Sequence, residues 1–209
     1  MVETILQSLT WLGHDGYCLT AEGKTIYFDP FQLAGNIFPP ADLIFISHEH
    51  RDHFSPEDLA KIVTGRTVIV TDARVAEKLT GLVTVAAPGD KIEISGLSVE
   101  VVPAYNINKK FHPKKNGWLG FIVTVEGVRV YHAGDTDYIP EMKDMRADIA
   151  LLPVSGTYVM TAAEAAQAAL DIKPQVAIPM HYDSIVGSAD DARLFAEALE
   201  GKIRVEILS

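Results

Sequence analysis

The chain of 209 residues carries 18 lysines and arginines against 28 aspartates and glutamates, which gives a formal net charge of −10. Its hydrophobic fraction of 48% excludes a disordered chain, and the acidic surplus disfavours binding to nucleic acid. The single cysteine, Cys18, excludes a disulfide scaffold and fits a reducing compartment. We therefore expect a cytoplasmic protein with a single domain over residues 1–209, without a signal peptide or a membrane-spanning segment.

The first half of the chain alternates short apolar runs with turns. These runs predict strands over residues 5–11, 16–20, 25–29, 43–46, 67–71 and three more within 83–103. Ser55 predicts the start of a helix, because a serine N-cap, a following proline and two acidic residues in the first turn all favour one. Asp72 is expected to cap a second, short helix that stops at Gly81.

The second half begins with a polar segment over residues 105–118, which we predict to be a long loop. Strands are predicted over residues 119–125, 128–132, 149–152, 176–179 and 203–208, with a hairpin turn at Glu126-Gly127. Helices are predicted over residues 161–171 and 188–199, the first with a capping box of Thr161 and Glu164. Strands and helices thus alternate throughout, which predicts sheets covered by helices.

Residues 48–53 read His-Glu-His-Arg-Asp-His and form the densest group of metal-binding residue types in the chain. Four of them are good ligands for a metal such as zinc: His48, His50, Asp52 and His53. The helical zinc motif His-Glu-x-x-His does not fit, because an aspartate stands at position 52 where the second histidine is required. The spacing instead suits a loop that wraps around a metal.

Two further candidate ligands follow other predicted strands. Asp135 comes after the strand predicted over 128–132, and His181 comes after the strand predicted over 176–179. Ligands collect at the carboxyl ends of strands in sheets that helices cover, so three separate strands are expected to deliver histidine or aspartate to one site.

These motifs, in this order, resemble those of the metallo-β-lactamase superfamily. They are His-Glu-His-Arg-Asp-His at 48–53, Gly-Asp-Thr at 134–136 and Pro-Met-His-Tyr at 179–182. Trp-Leu-Gly-His at 11–14 and Asp-Pro-Phe at 29–31 are similar to the branch that contains ascorbate-6-phosphate lactonase and N-acylphosphatidylethanolamine phospholipase D. The resemblance spans residues 11–181 and implies an α/β (α+β) fold, a four-layer αββα sandwich with a dinuclear metal site at one edge.

The resemblance also implies a set of ligands. His48 and His50 would bind the first cation; Asp52, His53 and His181 would bind the second; and Asp135 would bridge the two. The superfamily usually supplies one more first-site histidine, but Asn106 stands where related sequences often place it, and His112 follows six residues later. His112 and Asn106 are therefore candidates for an additional ligand or a substrate contact.

We also predict roles for four residues near these motifs. His132 precedes the Gly-Asp-Thr turn and is expected to support the ligands from behind. His14 is expected to be a hydrogen-bonding group rather than a ligand. Thr136 and Tyr182 adjoin the motifs, and their position makes them candidates for substrate contact.

The implied activity is that of a metal-dependent hydrolase in which a metal-bound hydroxide cleaves an ester, lactone or phosphodiester bond. Asp52 is the candidate catalytic residue, since it could orient the hydroxide while binding metal. We expect one or two zinc ions, with manganese or iron as alternatives. Four lysines near His112, at positions 109, 110, 114 and 115, indicate a small anionic substrate, although a solvated loop explains them equally well.

Two other classes of function remain open at this point. A non-catalytic protein that binds a metal or ligand on the same fold is the first; the five or six intact ligand positions argue against it, and Asn106 in place of a histidine keeps it open. A diiron redox enzyme is the second, but such enzymes typically carry glutamate where His50 stands. The expected partner is a small molecule, with neither nucleic acid nor membrane involved, and homo-oligomerisation is left open.

Overall fold

In the computed structural model, which describes residues 1–35 and 38–209, thirteen strands form two β-sheets. The first sheet has the order β1-β2-β3-β4-β5-β6: Leu9–Gly13, Gly16–Ala21, Lys24–Phe28, Leu43–Phe45, Val68–Thr71 and Leu82–Val85. The second has the order β13-β12-β11-β10-β9-β8-β7; from β7 to β13 its strands are Lys91–Ile94, Leu97–Pro103, Leu119–Val125, Val128–His132, Ile149–Pro153, Val176–Met180 and Arg204–Val205.

Five helices accompany the two sheets in the described part of the chain. In chain order they are α1 Val2–Gln7, α2 Pro56–Ile62, α3 Ala73–Ala76, α4 Ala162–Ile172 and α5 Ala189–Leu199. Helices α2 and α3 pack on the first sheet, and α4 and α5 contact strands of the second. This arrangement confirms the predicted αββα sandwich. Within the described part of the chain, every helix is too short or too polar to cross a lipid bilayer.

Alternating side chains of the first sheet divide its two faces between two cores. Tyr27 points to the outer core beneath α2, whereas its neighbours Ile26 and Phe28 point to the core between the sheets. In that inner core, the ring centroids of Phe45 from the first sheet and Phe121 from the second lie 4.9 Å apart. Removal of such a buried ring costs about 3–5 kcal/mol, so these contacts fix how the two sheets face each other.

Parallel pairing brings the carboxyl ends of the strands that precede the predicted ligands to a common edge. Strands β3, β4 and β5 run parallel in the first sheet, and β10, β11 and β12 run parallel in the second. The loops that follow β4, β10 and β12 therefore leave their sheets in corresponding positions. The tight turn between β1 and β2 reaches the same place, because the backbone N–H of His181 donates to the carbonyl of His14 at 3.1 Å.

The structure departs from the predicted elements mainly near the chain ends. Residues 2–7 form α1 instead of the start of a strand, because Val2, Ile5 and Leu6 recur at helical spacing and pack against the inner core. The last strand is limited to Arg204–Val205, an edge strand that pairs only with β12. The helix capped by Asp72 ends at Ala76 and continues as tight turns towards Gly81, where φ is +101°.

Candidate metal centre

The structure brings the six predicted ligands together at one edge of the sandwich. His48, His50, Asp52 and His53 follow β4, Asp135 follows β10, and His181 follows β12 directly. Their donor atoms fall into overlapping sets, in each of which all atoms lie within 4.8 Å of one another. The geometry supports the predicted site, and assignment of each residue as a ligand remains a prediction.

The first group consists of His48, His50, His112 and Asp135. Nδ1 of His50 lies 2.9 Å from Nε2 of His48 and 3.2 Å from Nε2 of His112, which in turn lies 3.0 Å from Oδ2 of Asp135. Three imidazole nitrogens face one another here, and a proton on Nδ1 of His50 could serve only one of its two neighbours at a time, which leaves lone pairs opposed at the other. A cation held between them removes that conflict, so the donor set fits a metal ion.

The other predicted ligands, Asp52, His53 and His181, form a second group with Asp135. Their donor atoms belong to two overlapping sets that share His53 and His181: one also contains His14 and Asp52, the other Asp15 and Asp135. Oδ1 of Asp135 lies 3.3 Å from Nε2 of His53 and 3.4 Å from Nε2 of His181. All three of these atoms are buried without a hydrogen-bond partner. Buried polar atoms normally have hydrogen-bond partners. Three that lack one and face one another are therefore suited to coordinate a metal ion.

Asp135 lies between the two groups, with Oδ2 towards the first and Oδ1 towards the second. Its position depends on Gly134, which has φ of +60° and closely approaches the backbone of β9. A Cβ atom at position 134 would lie 2.7 Å from the carbonyl oxygen of Leu119. Only glycine therefore allows the turn that presents Asp135 to both groups.

Neighbouring polar groups fix the orientation of the histidine rings. Nδ1 of His53 donates to Asp29 at 2.8 Å, and Nδ1 of His181 lies 2.9 Å from the hydroxyl of Ser155. Nδ1 of His48 lies 2.9 Å from the hydroxyl of Ser47, which donates to Asp29 at 2.6 Å. Each of these contacts leaves Nε2 free to point into the site, as is usual for metal-binding histidines.

Asn106 holds His112 rather than replacing it. Oδ1 of Asn106 accepts the backbone N–H of His112 at 2.9 Å and lies 3.2 Å from its Nδ1, while Nε2 of His112 faces the site. The amide nitrogen of Asn106 donates to Asp137 at 3.1 Å and to the carbonyl of Tyr158 at 2.7 Å. The substitution that kept a non-catalytic function open thus has a structural explanation, because His112 occupies the first group.

His14 contacts the second group through Asp52. Its Nε2 lies 3.1 Å from Oδ2 of Asp52, as expected for a hydrogen-bonding histidine, although its ring also lies beside that of His181 with centroids 4.2 Å apart. Burial lowers the pKa of His14, so the ring is neutral and donates from Nε2. Donation from Nε2 uses the atom nearest the site, which supports an orienting role for His14.

The electrostatics of the first and second groups differ. Burial lowers the pKa of His48 and of His50, so both rings are neutral and ready to bind a cation. Burial alone would also lower the pKa of His181, but the carboxylates of Asp135 and Asp15 raise it to about 9. For His53, burial likewise lowers the pKa, but the carboxylates of Asp135 and Asp29 outweigh burial and raise the pKa well above the usual range.

These shifts predict proton release when a cation enters the second group. Below pH 9 the metal-free protein holds a proton on His181, and that proton must leave before Nε2 can bind metal. We expect zinc affinity to rise by about tenfold per pH unit between pH 6 and 8 for each proton displaced. Calorimetric titration of metal-free protein in buffers of different ionisation enthalpy measures the release, and heats that are identical in all buffers would contradict it.

Some of the predicted neighbours of the site have other roles. Thr136 is buried and bonds to Tyr105, and Tyr182 is only 3% exposed and stacks on Trp11 at 5.0 Å. Neither residue lines the cavity beside the centre, so the substrate contacts predicted for them have no support from the geometry. Nε2 of His132 lies 2.8 Å from the backbone carbonyl of Asp15, and its expected support of the ligands stays a prediction.

Several residues that shape the site had no predicted role, Asp29 and Trp118 among them. Asp29 orients His53 and Ser47, and the only sequence signal for it is its place after β3 in the Asp-Pro-Phe motif. Trp118 packs against three imidazoles, with ring centroids 4.6–5.3 Å from those of His48, His50 and His112. A tryptophan that ends a polar loop carries no sequence pattern that could identify this contact.

A cavity of about 200 Å³ opens onto both groups. Its lining comprises four members of the groups and two aromatic residues: His50, Asp52, His112, Asp135, Phe111 and Tyr158. The candidate centre is thus accessible to a small molecule, whereas most of its ligands are buried.

Comparison with known proteins agrees with this geometry. Residues 8–181 match the family model described as the beta-lactamase superfamily domain. UPF0173 metal-dependent hydrolases of Methanoculleus marisnigri and Pyrococcus abyssi are 35% and 32% identical, over 96% and 95% of this chain and 93% and 94% of their own lengths. A crystal structure from Parabacteroides distasonis, assigned as a metal-dependent hydrolase, is 36% identical with a TM-score of 0.87, covering 96% of this chain and 93% of that one.

The names of these relatives give metal-dependent hydrolysis but no substrate. The narrower likeness to the ascorbate-6-phosphate lactonase and phospholipase D branch therefore stays a prediction.

Proposed function

Since the chain belongs to the beta-lactamase superfamily and, within it, to the UPF0173 metal-dependent hydrolases, we propose that it cleaves an ester, lactone or phosphodiester bond of a small anionic substrate. One observation carries the proposal: two groups of buried donors meet on the two carboxylate oxygens of Asp135, at the floor of an open cavity. A site of this kind suits hydrolysis of a small molecule rather than of a polymer.

We propose two zinc ions as the metals. The first group offers three imidazole nitrogens with one carboxylate, and the second offers two imidazoles with two carboxylates. Imidazole and carboxylate together suit zinc, with manganese and iron as the alternatives. When bound, the cations would lower the pKa of a water molecule and polarise the scissile oxygen.

Asp52 is the residue that we propose orients the attacking water. Burial alone would raise its pKa, but the hydrogen bond from His14 and the charge on His53 hold the pKa of this carboxyl well below its usual range. Asp52 is therefore ionised at neutral pH and accepts hydrogen bonds in the cavity that it lines. The imidazole of His14 fixes its direction, so the accepting oxygen is positioned before substrate arrives.

The lysines near His112 support an anionic substrate only in part. Lys109 pairs with Asp137 at 2.5 Å, and Lys114 pairs with Glu141 at 2.9 Å. Lys110 and Lys115 are exposed and have no carboxylate partner among the described residues. These two lysines are thus the ones whose charge is available to attract an anion towards the cavity.

Replacement of both free lysines, Lys110→Gln with Lys115→Gln, is expected to raise KM for an anionic substrate by about two- to fivefold at low salt. The salt dependence of kcat/KM should weaken, and kcat should stay unchanged. Lys173→Gln with Lys202→Gln is the matched control, because both residues precede the amino ends of β12 and β13, at the opposite edge from His181. Equal kinetics in the two double variants would contradict the prediction.

The proposed function is tested by joining elemental analysis to a substrate screen. We expect about two equivalents of metal per chain and turnover of at least one class among lactones, carboxylic esters, phosphodiesters and phosphorylated sugars. Loss of turnover with a chelator and its return with added zinc would support the metal assignment. Stoichiometric metal without hydrolysis of any class would instead favour a binding protein on this fold.

A further inference from the structure

The cavity above the candidate metal centre has an aromatic wall. Phe111 and Tyr158 pack edge to face, with ring centroids 4.5 Å apart and an interplanar angle of 71°. The other four lining residues are members of the two groups: His50, Asp52, His112 and Asp135. A substrate that reaches the centre therefore meets two aromatic rings immediately beside the ligands.

The backbone of Tyr158 is fixed by the same contacts that hold His112. Its φ is +71°, a left-handed conformation that a tyrosine adopts only when surrounding contacts impose it. Its carbonyl accepts from the amide of Asn106 at 2.7 Å and lies 3.2 Å from Nδ1 of His112. The backbone that carries this ring is thus tied to the position of a candidate ligand.

The apolar surface at this wall is open to solvent. The exposed fraction of Phe111 is 53%. Exposed apolar groups beside a site mark places where a ligand removes surface from water. Apart from members of the two groups, the lining consists of two aromatic rings, and the phenol of Tyr158 is its one amide or hydroxyl side chain. Hydroxyl-rich parts of a substrate would therefore lack hydrogen-bond partners there.

We propose, building on the proposed function, that Phe111 and Tyr158 bind an apolar group about the size of a six-membered ring, attached next to the scissile bond. The cavity volume of about 200 Å³ suits this size, because an apolar protein cavity of about 150 Å³ can hold benzene. The substrate class is therefore an ester or lactone with an aryl or compact alkyl group on its acyl side, rather than a phosphorylated sugar.

The first test measures binding without turnover. Phenylacetate and acetate, the acids that such esters would release, are titrated calorimetrically into the metal-containing protein. We expect phenylacetate to bind at least about tenfold more tightly than acetate, as expected for apolar contacts of this kind. Phe111→Ala should reduce that ratio to below about threefold, whereas Leu194→Ala, a control on α5 with a similar exposed fraction of 48%, should retain it.

Equal binding of the two acids, no detectable binding of phenylacetate, or an unchanged ratio in Phe111→Ala would each overturn the proposal. Unchanged metal content and melting temperature in Phe111→Ala would show that the variant is folded. This is expected because the side chain is half exposed and is not a ligand.

The second test uses 4-nitrophenyl phenylacetate and 4-nitrophenyl acetate, which share a leaving group. Phe111→Ala should lower kcat/KM about tenfold for the first ester and less than twofold for the second. If neither ester nor any other class is hydrolysed, the proposed function fails, and the calorimetric ratio still decides whether the aromatic wall binds an apolar group. Equal losses for both esters would overturn the assignment of Phe111 to specificity.

Discussion

Asp135→Ala is expected to leave the protein with neither cation bound and without hydrolytic turnover. The two oxygens of Asp135 are shared between the groups, at 3.0 Å from Nε2 of His112 and 3.3 Å from Nε2 of His53. Loss of a residue that merely supports a ligand weakens metal affinity about 10- to 100-fold, so loss of this shared ligand should cost more than 100-fold. Elemental analysis after gel filtration, together with kcat/KM, measures both effects.

His53→Ala serves as a parallel variant, and Asp190→Ala is the matched control. Asp190 forms an exposed ion pair with Arg193 on α5, and such pairs contribute little to stability. We expect His53→Ala to lose the cation of the second group and all measurable turnover, whereas Asp190→Ala should behave as the parent. Full metal content with full activity in Asp135→Ala would refute the assignment of the centre.

His112→Ala is expected to remove one cation and to retain the other. His112 contributes only to the first group, whereas the second group keeps Asp52, His53, His181 and Asp135. Metal content should fall by about half, with a loss of at least about 100-fold in kcat/KM, because a two-metal site uses both cations for the same displacement. Metal analysis of the purified variant and steady-state kinetics test this directly.

Asn106→Ala tests whether Asn106 only positions the predicted ligand His112 or is itself a ligand. Asn106 contacts the backbone and Nδ1 of His112 but does not face the cavity, so both cations should still bind. We expect the affinity for the cation of the first group to fall about 10- to 100-fold and excess zinc to restore activity. Loss of metal that zinc cannot restore in Asn106→Ala, with normal content in His112→Ala, would reverse the two roles.

Much of the centre could be predicted from the sequence because its ligands follow buried strands. Strands such as β4, with the sequence Leu-Ile-Phe, identify themselves by their apolar runs, and the residues after them are placed by the sheet. His48, Asp135 and His181 are therefore brought to one edge by topology alone. The hairpin at Glu126-Gly127 was predictable for a similar reason, and both residues have positive φ there.

His112 could not be placed in the same way. It lies in a polar loop with no periodic pattern, and its position depends on pairing of Asn106 with Pro113 and on bonds to residues distant in sequence. The lysines illustrate the same limit. Four lysines close together in the sequence look free of partners, but Lys109 pairs with Asp137, which lies 28 residues away along the chain. Local pattern cannot reveal partners that only the tertiary fold supplies.

The donors of the second group come from both sheets, since His53 follows a strand of the first and His181 a strand of the second. An ion bound there ties together two layers that otherwise adhere mainly through apolar contacts. By mass action, an ion present at 1,000 times its dissociation constant adds about 4 kcal/mol to the stability of the fold. Cells starved of that ion would then contain less of the intact protein, because proteases remove the unfolded form. The supply of the ion would therefore govern the abundance of the protein as well as its rate of turnover.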